Sequence, residues 1–267
     1  MILDNKATRL FILLSGFFVA NALISELIGV KIFSVEKTLG LSPVRISFFG
    51  QADLSFNMTA GVITWPVVFI MTDIINEYFG KNGVRFLSYM AAALISFSFF
   101  IFYITIQLVP ADFWVTSHIN VANSLEQQAV VREKVSDFNY AYRIVLGQST
   151  WIIVGSLVAF LIGQIIDVFV FHKIKGITGE DKIWLRATGS TLVSQLIDSF
   201  VVLFIAFYVG ANWQLSQVFA IGVINYIYKF AVAILITPLL YFVHYLIEQY
   251  LGYDLAFRLK SSAFKNS

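Results

Sequence analysis

Near its middle the chain reads Gly163-Gln164-Ile165-Ile166-Asp167-Val168-Phe169-Val170, and 31 residues later it reads Ser194-Gln195-Leu196-Ile197-Asp198-Ser199-Phe200-Val201. Each copy puts a glutamine and an aspartate three residues apart, which on a helix places both side chains on one face. A carboxylate at the centre of a membrane helix costs about 2.5–3.5 kcal/mol. If these stretches span a membrane, the repeat therefore indicates a functional site that faces a protein interior.

The composition is that of a membrane protein. The 267 residues are 58% hydrophobic and 13% charged, with a mean hydropathy of +0.80, whereas soluble domains are about a quarter charged. The absence of cysteine excludes a disulfide framework and a thiolate metal site. A net charge of +2 is too small to indicate nucleic-acid binding, so the expected macromolecular environment is the lipid bilayer, with no nucleic acid as partner.

Six apolar stretches are long enough to cross about 30 Å of hydrocarbon as helices. They are approximately Leu10–Phe33, Gly61–Phe79, Val84–Val109, Ala141–His172, Ile183–Val209 and Val218–Tyr250. No small-residue cleavage site follows the first, which is read as a retained helix. Counting eleven Lys and Arg on one side against six on the other predicts cytoplasmic N- and C-termini. We expect an all-α polytopic membrane protein in which residues 1–267 form a single transporter domain.

The two long outer loops also carry patterns. Alternating apolar residues in Val44–Phe48 and Leu54–Met58, with Gly50–Asp53 between them, predict a small extracellular hairpin between helices 1 and 2. In the second loop, Ser124–Val135 is expected to form an amphipathic helix. Neither loop indicates a separate domain.

Polar side chains in the first two spans form one group of candidates. Glu26 in span one is interpreted either as a ligand group or as a partner in a helix–helix hydrogen bond. Asp73, Asn76 and Glu77 in span two follow one helix face and form a narrow acidic stripe. For Glu77 the alternative is a position in the headgroup region, paired with Lys81.

Spans four to six carry the second group. The predicted depths place Asp198 near mid-membrane and Asp167 closer to cytoplasmic basic residues. Lys229 is the one basic residue at mid-depth, with Asp198 as its expected partner, either in a structural ion pair or in a pair that rearranges during transport. The candidate substrate-binding residues are Asp198, Asp73, Gln195, Gln164, Asp167, Lys229, Asn76, Glu26 and Asn225.

The sequence shows no pattern typical of an active site. The three histidines are too scattered for a metal site, and there is no Gly-rich phosphate loop, so we expect neither a metal nor another cofactor. One enzymatic alternative is Mg²⁺ held by Asp73 and Glu77 for action on a phosphorylated lipid. It would need a second acidic cluster, for which Glu180-Asp181, set among lysines, is a poor candidate.

Several strings, taken together, resemble a known family. They are Trp65-Pro66, Thr72-Asp73-Ile74-Ile75-Asn76-Glu77-Tyr78-Phe79-Gly80-Lys81, the stretch from Gly163 to Lys173, Arg186-Ala187-Thr188-Gly189-Ser190-Thr191, Gln195-Leu196-Ile197-Asp198 and Tyr228-Lys229 with Pro238. In this order and at these membrane positions they resemble the YhhQ family of queuosine precursor transporters, also known as putative vitamin uptake transporters. The resemblance extends from span one through span six.

The resemblance implies uptake of 7-cyano- or 7-aminomethyl-7-deazaguanine across the bacterial inner membrane. Such a base presents N1–H and a 2-amino group side by side, which one carboxylate, Asp73 or Asp198, can accept together. Its carbonyl needs a donor, for which the candidates are Gln164, Gln195, Asn76 and Lys229. Its flat faces need aromatic walls.

We therefore expect a purine-like solute to bind between helices near mid-membrane, in a cavity lined by spans one, two, four, five and six, with alternate exposure to the two sides. Proton coupling and facilitated movement followed by metabolic trapping both remain open, as does a homodimer. A related alternative is the substrate-binding subunit of an ATPase-energised importer. An intramembrane lipid-modifying enzyme is the alternative from another class.

Overall fold

The structure is a computed structural model that describes residues 5–122, 124–148, 150–179 and 182–265. The Glu180-Asp181 cluster and the extreme termini lie outside the described residues. The helices are α1 Lys6–Ile28, α2 Val35–Thr38, α3 Trp65–Thr105, α4 Asp112–Val115, α5 Leu125–Lys134, α6 Phe138–Leu146, α7 Thr150–Thr178, α8 Ile183–Leu203, α9 Leu215–Leu235, α10 Thr237–Leu251 and α11 Tyr253–Lys265. The strands are β1 Ile32–Ser34, β2 Ile46–Phe48, β3 Gln51–Leu54 and β4 Asn57–Thr59.

The described residues contain five helical stretches that are long and apolar enough to cross a membrane. They are α1, α3, Phe138–Thr178 (which includes α6 and α7), Ile183–Val209 (which joins α8 to a π-helix) and α9. The chain is thus an all-α polytopic membrane protein, as predicted. The sixth predicted span is shorter than expected, because α9 ends at Leu235 and Pro238, which lacks a backbone donor, opens the separate helix α10.

Helix α3 reverses direction at Gly80. Gly80 has φ 70° and ψ −176°, which divides α3 into a first arm (residues 65–79) and a second arm (residues 81–105). The hydroxyls of Thr72 and Ser88 lie 3.1 and 3.3 Å from the same oxygen, Oε1 of Gln164. In a straight helix, residues 16 positions apart would be about 24 Å apart along the axis. The two arms are therefore antiparallel, and the connection between them is a single residue.

We expect Gly80→Ala to lower the melting temperature of the purified protein in detergent. The backbone region that Gly80 occupies costs other residues about 1–3 kcal/mol, and a Cβ there would lie 2.9 Å from the carbonyl oxygen of Ala263 on α11. The matched control is Gly176→Ala on α7, where a Cβ meets nothing within 4 Å. Equal melting temperatures for Gly80→Ala and the control would contradict the strained reversal.

Two compact units make up the chain. The first comprises residues 1–94 and 150–267 and contains all nine candidate site residues. The second comprises residues 95–149 and holds α4, α5 and α6. Its α5 forms where a helix was predicted over Ser124–Val135, but no residue of α5 is buried, so the predicted amphipathic character is not seen. Trp114 packs against Phe138 and Tyr142. The candidate site is thus a feature of the first unit.

Two short antiparallel ladders connect α1 to α3. Strand β1 pairs with β4, and β2 pairs with β3 so that Phe48 faces Gln51. The turn between β2 and β3 is Phe49-Gly50, with φ 48° and 74°, which is the pattern of a two-residue hairpin turn. The turn predicted at Gly50–Asp53 is therefore misplaced, because Gln51–Leu54 forms strand β3.

Glu36 holds this connecting segment together. The backbone N–H groups of Phe56 and Val44 donate to Glu36 Oε1 at 2.9 and 3.4 Å, and the Ser34 hydroxyl donates to Oε2 at 3.1 Å. The hydrogen bond from Phe56 is the largest influence, and together these bonds hold the pKa of Glu36 below its ordinary value of 4.5 despite its burial. The ionised side chain therefore stabilises the segment.

A lowered pKa makes this contribution present above about pH 4.5 and lost as the pH falls through the folded-state pKa. We expect the amides of Val44 and Phe56 to keep their protection against hydrogen exchange from pH 7 to about 4.5 and to lose it in stronger acid. Glu36→Gln should lower both protection factors about tenfold at pH 7. The control is Glu133→Gln, an exposed residue of α5. Unchanged protection in Glu36→Gln would contradict this role.

Candidate functional site

The two copies of the Gln–Asp motif face each other across α7 and α8. A Cβ at Gly163 would lie 3.9 Å from Cβ of Asp198, and the Ser194 hydroxyl donates to Asp167 Oδ1 at 3.3 Å. These contacts fix an antiparallel register. In this register, Gln164 lies one residue from the level of Asp198, and Gln195 lies one residue from the level of Asp167. The repeat therefore forms one polar seam between two helices.

Asp167 is completely buried in this seam. The sequence interpretation placed it near cytoplasmic basic residues, but its hydrogen bond comes from Ser194 on α8. Its second oxygen, Oδ2, has no hydrogen-bond partner within the described part of the chain. Asp167 is thus enclosed between helices and does not face a basic loop.

Asp198 forms the predicted pair with Lys229. Lys229 Nζ on α9 donates to Asp198 Oδ2 at 2.5 Å, which confirms the partner expected from depth. Each side chain retains about a fifth of its exposure (21%), so the pair is at the edge of the protein interior. Rearrangement of this pair during transport stays a prediction.

Asp73 projects from the first arm of α3 toward α8. It is 4% exposed, and its Oδ2 lies 3.5 Å from the Thr191 hydroxyl. Its Oδ1 has no hydrogen-bond partner among the described residues. Of the two aspartates considered for base recognition, Asp73 therefore has the buried, uncommitted oxygen, whereas Asp198 is committed to a cation.

Glu77 has partners that the sequence interpretation did not name. Arg186 donates through Nη2 and Nε to both oxygens of Glu77, at 2.8 and 3.2 Å, and Lys175 Nζ donates at 3.1 Å. All three side chains are at most 3% exposed. Because cations engage both carboxylate oxygens, Glu77 is not available to hold Mg²⁺, which removes the basis of the lipid-enzyme alternative.

In two side-chain amides, those of Gln164 and Asn76, the oxygen has a hydrogen-bond partner and the nitrogen has none among the described residues. Gln164 Oε1 accepts from Thr72 and Ser88, while its Nε2 has no partner among the described residues. Asn76 Oδ1 lies 2.8 Å from His172 Nε2, and its Nδ2 is likewise unpartnered there. Both amide nitrogens are therefore buried donors.

Two candidates lie away from these groups. Glu26 on α1 accepts a hydrogen bond from the Ser156 hydroxyl on α7, as expected of a helix–helix contact. Asn225 is half-buried on α9, one turn before Lys229, and does not line either cavity described next.

Two small adjoining cavities lie between the first arm of α3, α8, α9 and the start of α10, and together we call them the α3–α8–α9 cavity. The larger, about 40 Å³, is lined by Trp65, Phe69, Gln195, Tyr228 and Lys229 among others. The smaller, about 20 Å³, reaches Asp73, and the two share Phe69 and Thr191. The carboxylate sought from the sequence thus lines the smaller cavity, and the amide, ammonium and aromatic groups line the larger cavity beside it.

Several buried polar groups of the membrane helices have no partner among the described residues, and two of them, on Asp73 and Gln195, belong to residues that line the α3–α8–α9 cavity. Within the described ranges, the unpartnered buried side-chain atoms of the membrane helices are Asp73 Oδ1, Asp167 Oδ2, Asn76 Nδ2, Gln164 Nε2, Gln195 Nε2, His172 Nδ1 and Ser199 Oγ. Buried polar groups are normally hydrogen-bonded, and leaving one unsatisfied costs about 1–3 kcal/mol. Such a set of donors and acceptors is suited to a polar, hydrogen-bonding solute.

Sequence reasoning missed the buried cations and two of the hydroxyls, those of Ser88 and Ser156, whereas Thr191 and Ser194 were among the span-five hydroxyls expected to hydrate a cavity. Arg186 and Lys175 were counted among cytoplasmic charges, although Arg186 falls three residues inside a predicted span, which was a usable signal. Ser88 and Ser156 carried no signal of their own. The aromatic walls were expected only as a class, and the structure supplies Trp65, Phe69 and Tyr228.

Two curated relatives align with about 70% of the length of the chain. One, named "Probable queuosine precursor transporter" from Bacillus subtilis (strain 168), is 29% identical over 192 residues, covering 70% of this chain and 72% of the relative. Another of the same name, from Haemophilus influenzae (strain ATCC 51907 / DSM 11121 / KW20 / Rd), is 24% identical over 196 residues, covering 72% and 71%. No solved structure matches the chain.

Residues 59–243 match the family described as "Putative vitamin uptake transporter", a range that includes all the candidate residues except Glu26. This range contains α3, α7, α8 and α9, whose side chains surround the α3–α8–α9 cavity and the polar seam. Together with the several apolar helices, the match identifies a multi-pass protein of the bacterial inner membrane. The chain belongs to the "Putative vitamin uptake transporter" family of membrane transporters.

Proposed function

We propose that this chain imports a 7-deazaguanine precursor of queuosine, such as 7-cyano- or 7-aminomethyl-7-deazaguanine, across the inner membrane. The observation that carries the proposal is the uncommitted carboxylate oxygen of Asp73 at the α3–α8–α9 cavity, with Gln195 and Lys229 lining the same space. The names of the two relatives support the same substrate class.

The groups around the cavity match the edges of such a base. Asp73 accepts the adjacent N1–H and 2-amino donors, because one carboxylate can accept two parallel hydrogen bonds. Gln195 Nε2, which has no partner in the described part of the chain, donates to the carbonyl. Trp65, Phe69 and Tyr228 supply the flat apolar walls that a purine-like ring stacks on.

Binding requires the cavity to open. Ligand pockets are typically about 300–1,000 Å³, whereas the two parts of this cavity are about 40 and 20 Å³. Separation of α8 from α9 would enlarge the space, and it would break the pair of Asp198 with Lys229 that joins those helices. We therefore assign Asp198 and Lys229 to the gate and Asp73 to base recognition.

The proposed membrane arrangement has six spans in one transporter domain, with cytoplasmic termini and the β2–β3 hairpin outside. The reversal at Gly80 supports the count, because each antiparallel arm of α3 becomes a separate span. Movement of the base followed by metabolic trapping is sufficient for uptake, without a catalytic role for the chain. Proton coupling is the alternative to trapping, and the proposal leaves a homodimer open.

The test is uptake of labelled 7-deazaguanines by bacterial cells that lack their own synthesis pathway, with and without this chain. We expect accumulation only in cells that express it, and competition by unlabelled 7-deazaguanine but not by adenine. A correctly inserted protein that gives no uptake would overturn the substrate. Uptake that appears in cells but is absent from vesicles holding the purified chain alone would point to the ATPase-energised alternative.

A further inference from the structure

A groove of about 400 Å³ lies between the second arm of α3 and α7, and we call it the α3–α7 groove. Its walls are mostly apolar and include Val84, Tyr89, Leu161, Ile165, Val168 and Phe169. Ile165 and Phe169 are 54% and 66% exposed, so this side of the groove is open to the surrounding bilayer. It is far larger than the α3–α8–α9 cavity and separate from it.

Basic residues from both helices meet at one end of the groove. Lys81 and Arg85 lie at the start of the second arm of α3, and Lys173 lies toward the end of α7. Ser88 follows Arg85 in the second arm, whereas Gln164, which it contacts, precedes Lys173 in α7. The two helices therefore run antiparallel here. The groove therefore has a cationic end and an apolar end.

The length of the groove matches one leaflet of a membrane. Leu161 and Lys173 are 12 residues apart on α7, which is about 18 Å along a helix. Half of a 30 Å hydrocarbon core is about 15 Å. A groove with this length and polarity follows the shape of a lipid with its charged end at the interface.

The charged residues that line the groove are cations. Arg85 and Lys173 are exposed cations, and the amide nitrogen of Gln164 is buried and unpartnered within the described ranges. None of the described residues that line the groove carries a carboxylate. A purine-like base with a donor edge has no carboxylate acceptor here, whereas a phosphate diester at the cationic end has Lys81, Arg85 and Lys173 as donors.

We propose that the α3–α7 groove binds one anionic phospholipid, with its phosphate held at the cationic end and one acyl chain lying along the apolar walls. Basic pockets between membrane helices on the cytoplasmic side are suited to such headgroups. The cationic end lies on the side to which the distribution of Lys and Arg assigns the cytoplasm, so the lipid belongs to the inner leaflet. This inference does not depend on the transported substrate.

The test is native mass spectrometry of delipidated full-length protein titrated with phosphatidylglycerol, phosphatidylcholine or glycerol phosphate. We expect phosphatidylglycerol to bind at least tenfold more tightly than phosphatidylcholine, and glycerol phosphate not to displace it. The double variant Arg85→Gln, Lys173→Gln should weaken phosphatidylglycerol binding about 30-fold, at roughly fivefold for each cation, and remove the preference for it over phosphatidylcholine. Both residues are exposed, so the variant is expected to fold.

The matched control is Arg132→Gln, Lys134→Gln, which removes an exposed arginine and lysine from α5 and should leave lipid binding unchanged. Equal binding of the two phospholipids, or an equal loss in the control, would overturn the proposal. Displacement by glycerol phosphate would indicate a site for a soluble phosphate compound instead. A dimer mass that is lost in the double variant would mean that a second copy of the chain occupies this face.

Discussion

Asp73→Asn reduces the initial rate of 7-deazaguanine uptake by between about 10-fold and 100-fold. The substitution keeps the shape of the side chain but replaces one acceptor oxygen with an amide donor, which faces the donor edge of the base. Hydrogen bonds to a charged group contribute about 1.5–3 kcal/mol, which corresponds to that range. The measurement is initial uptake at a substrate concentration well below saturation, normalised to the amount of inserted protein.

Asp198→Asn also lowers uptake strongly, but by a different route. Removing the charge of Asp198 breaks its pair with Lys229, so the maximal rate is expected to fall more than the apparent affinity. Glu133→Gln, an exposed acid on α5, is the control and should transport normally. Normal uptake in both aspartate variants would mean that these buried acids are structural.

Arg186→Gln lowers the melting temperature in detergent by about 10 °C. Breaking a buried ion pair by removing one partner costs about 3–5 kcal/mol, and for a chain of this size each kcal/mol corresponds to about 2–4 °C. Arg186 holds both oxygens of Glu77 and also donates to the carbonyl of Gly179 at 2.9 Å. The measurement is thermal unfolding of purified protein in one detergent at one lipid content.

Arg258→Gln makes the same chemical change at an exposed residue of α11 and should leave the melting temperature unchanged. Adding Glu77→Gln to Arg186→Gln is expected to recover part of the lost stability, because it removes the poorly compensated carboxylate. Thermal stability of Arg186→Gln equal to that of wild type would show that Lys175 alone compensates Glu77.

The sequence is sufficient to predict the helical class and the pairing of α7 with α8, because apolar length and loop length determine both. The predicted spans ended at Phe79 and resumed at Val84, and the structure reverses between them at Gly80 alone. The glycine at this position is visible in the sequence, but its close approach to Ala263 on α11 could not be predicted from it. Depth matching also found the pair of Asp198 and Lys229, since depth follows from the rise per residue.

The direction in which side chains point was not predictable. Arg186 and Lys175 lie near predicted helix ends, where counting by position assigns them to a loop, yet both turn inward to Glu77. The equal Gln–Asp spacing in the two copies also did not indicate which aspartate is paired with a cation and which is not. That distinction depends on neighbours from other helices, such as Lys229 beside Asp198 and Thr191 beside Asp73.

The most direct test of the account is the binding of two bases to the purified protein and to Asp73→Asn. One base is a 7-deazaguanine, and the other is its analogue without the 2-amino group. If Asp73 accepts the paired N1–H and 2-amino donors, wild type binds the 7-deazaguanine about 10-fold to 100-fold more tightly than the analogue, and Asp73→Asn binds both with the same weak affinity. Equal affinities in wild type, or undiminished discrimination in Asp73→Asn, would contradict the assignment of base recognition to Asp73.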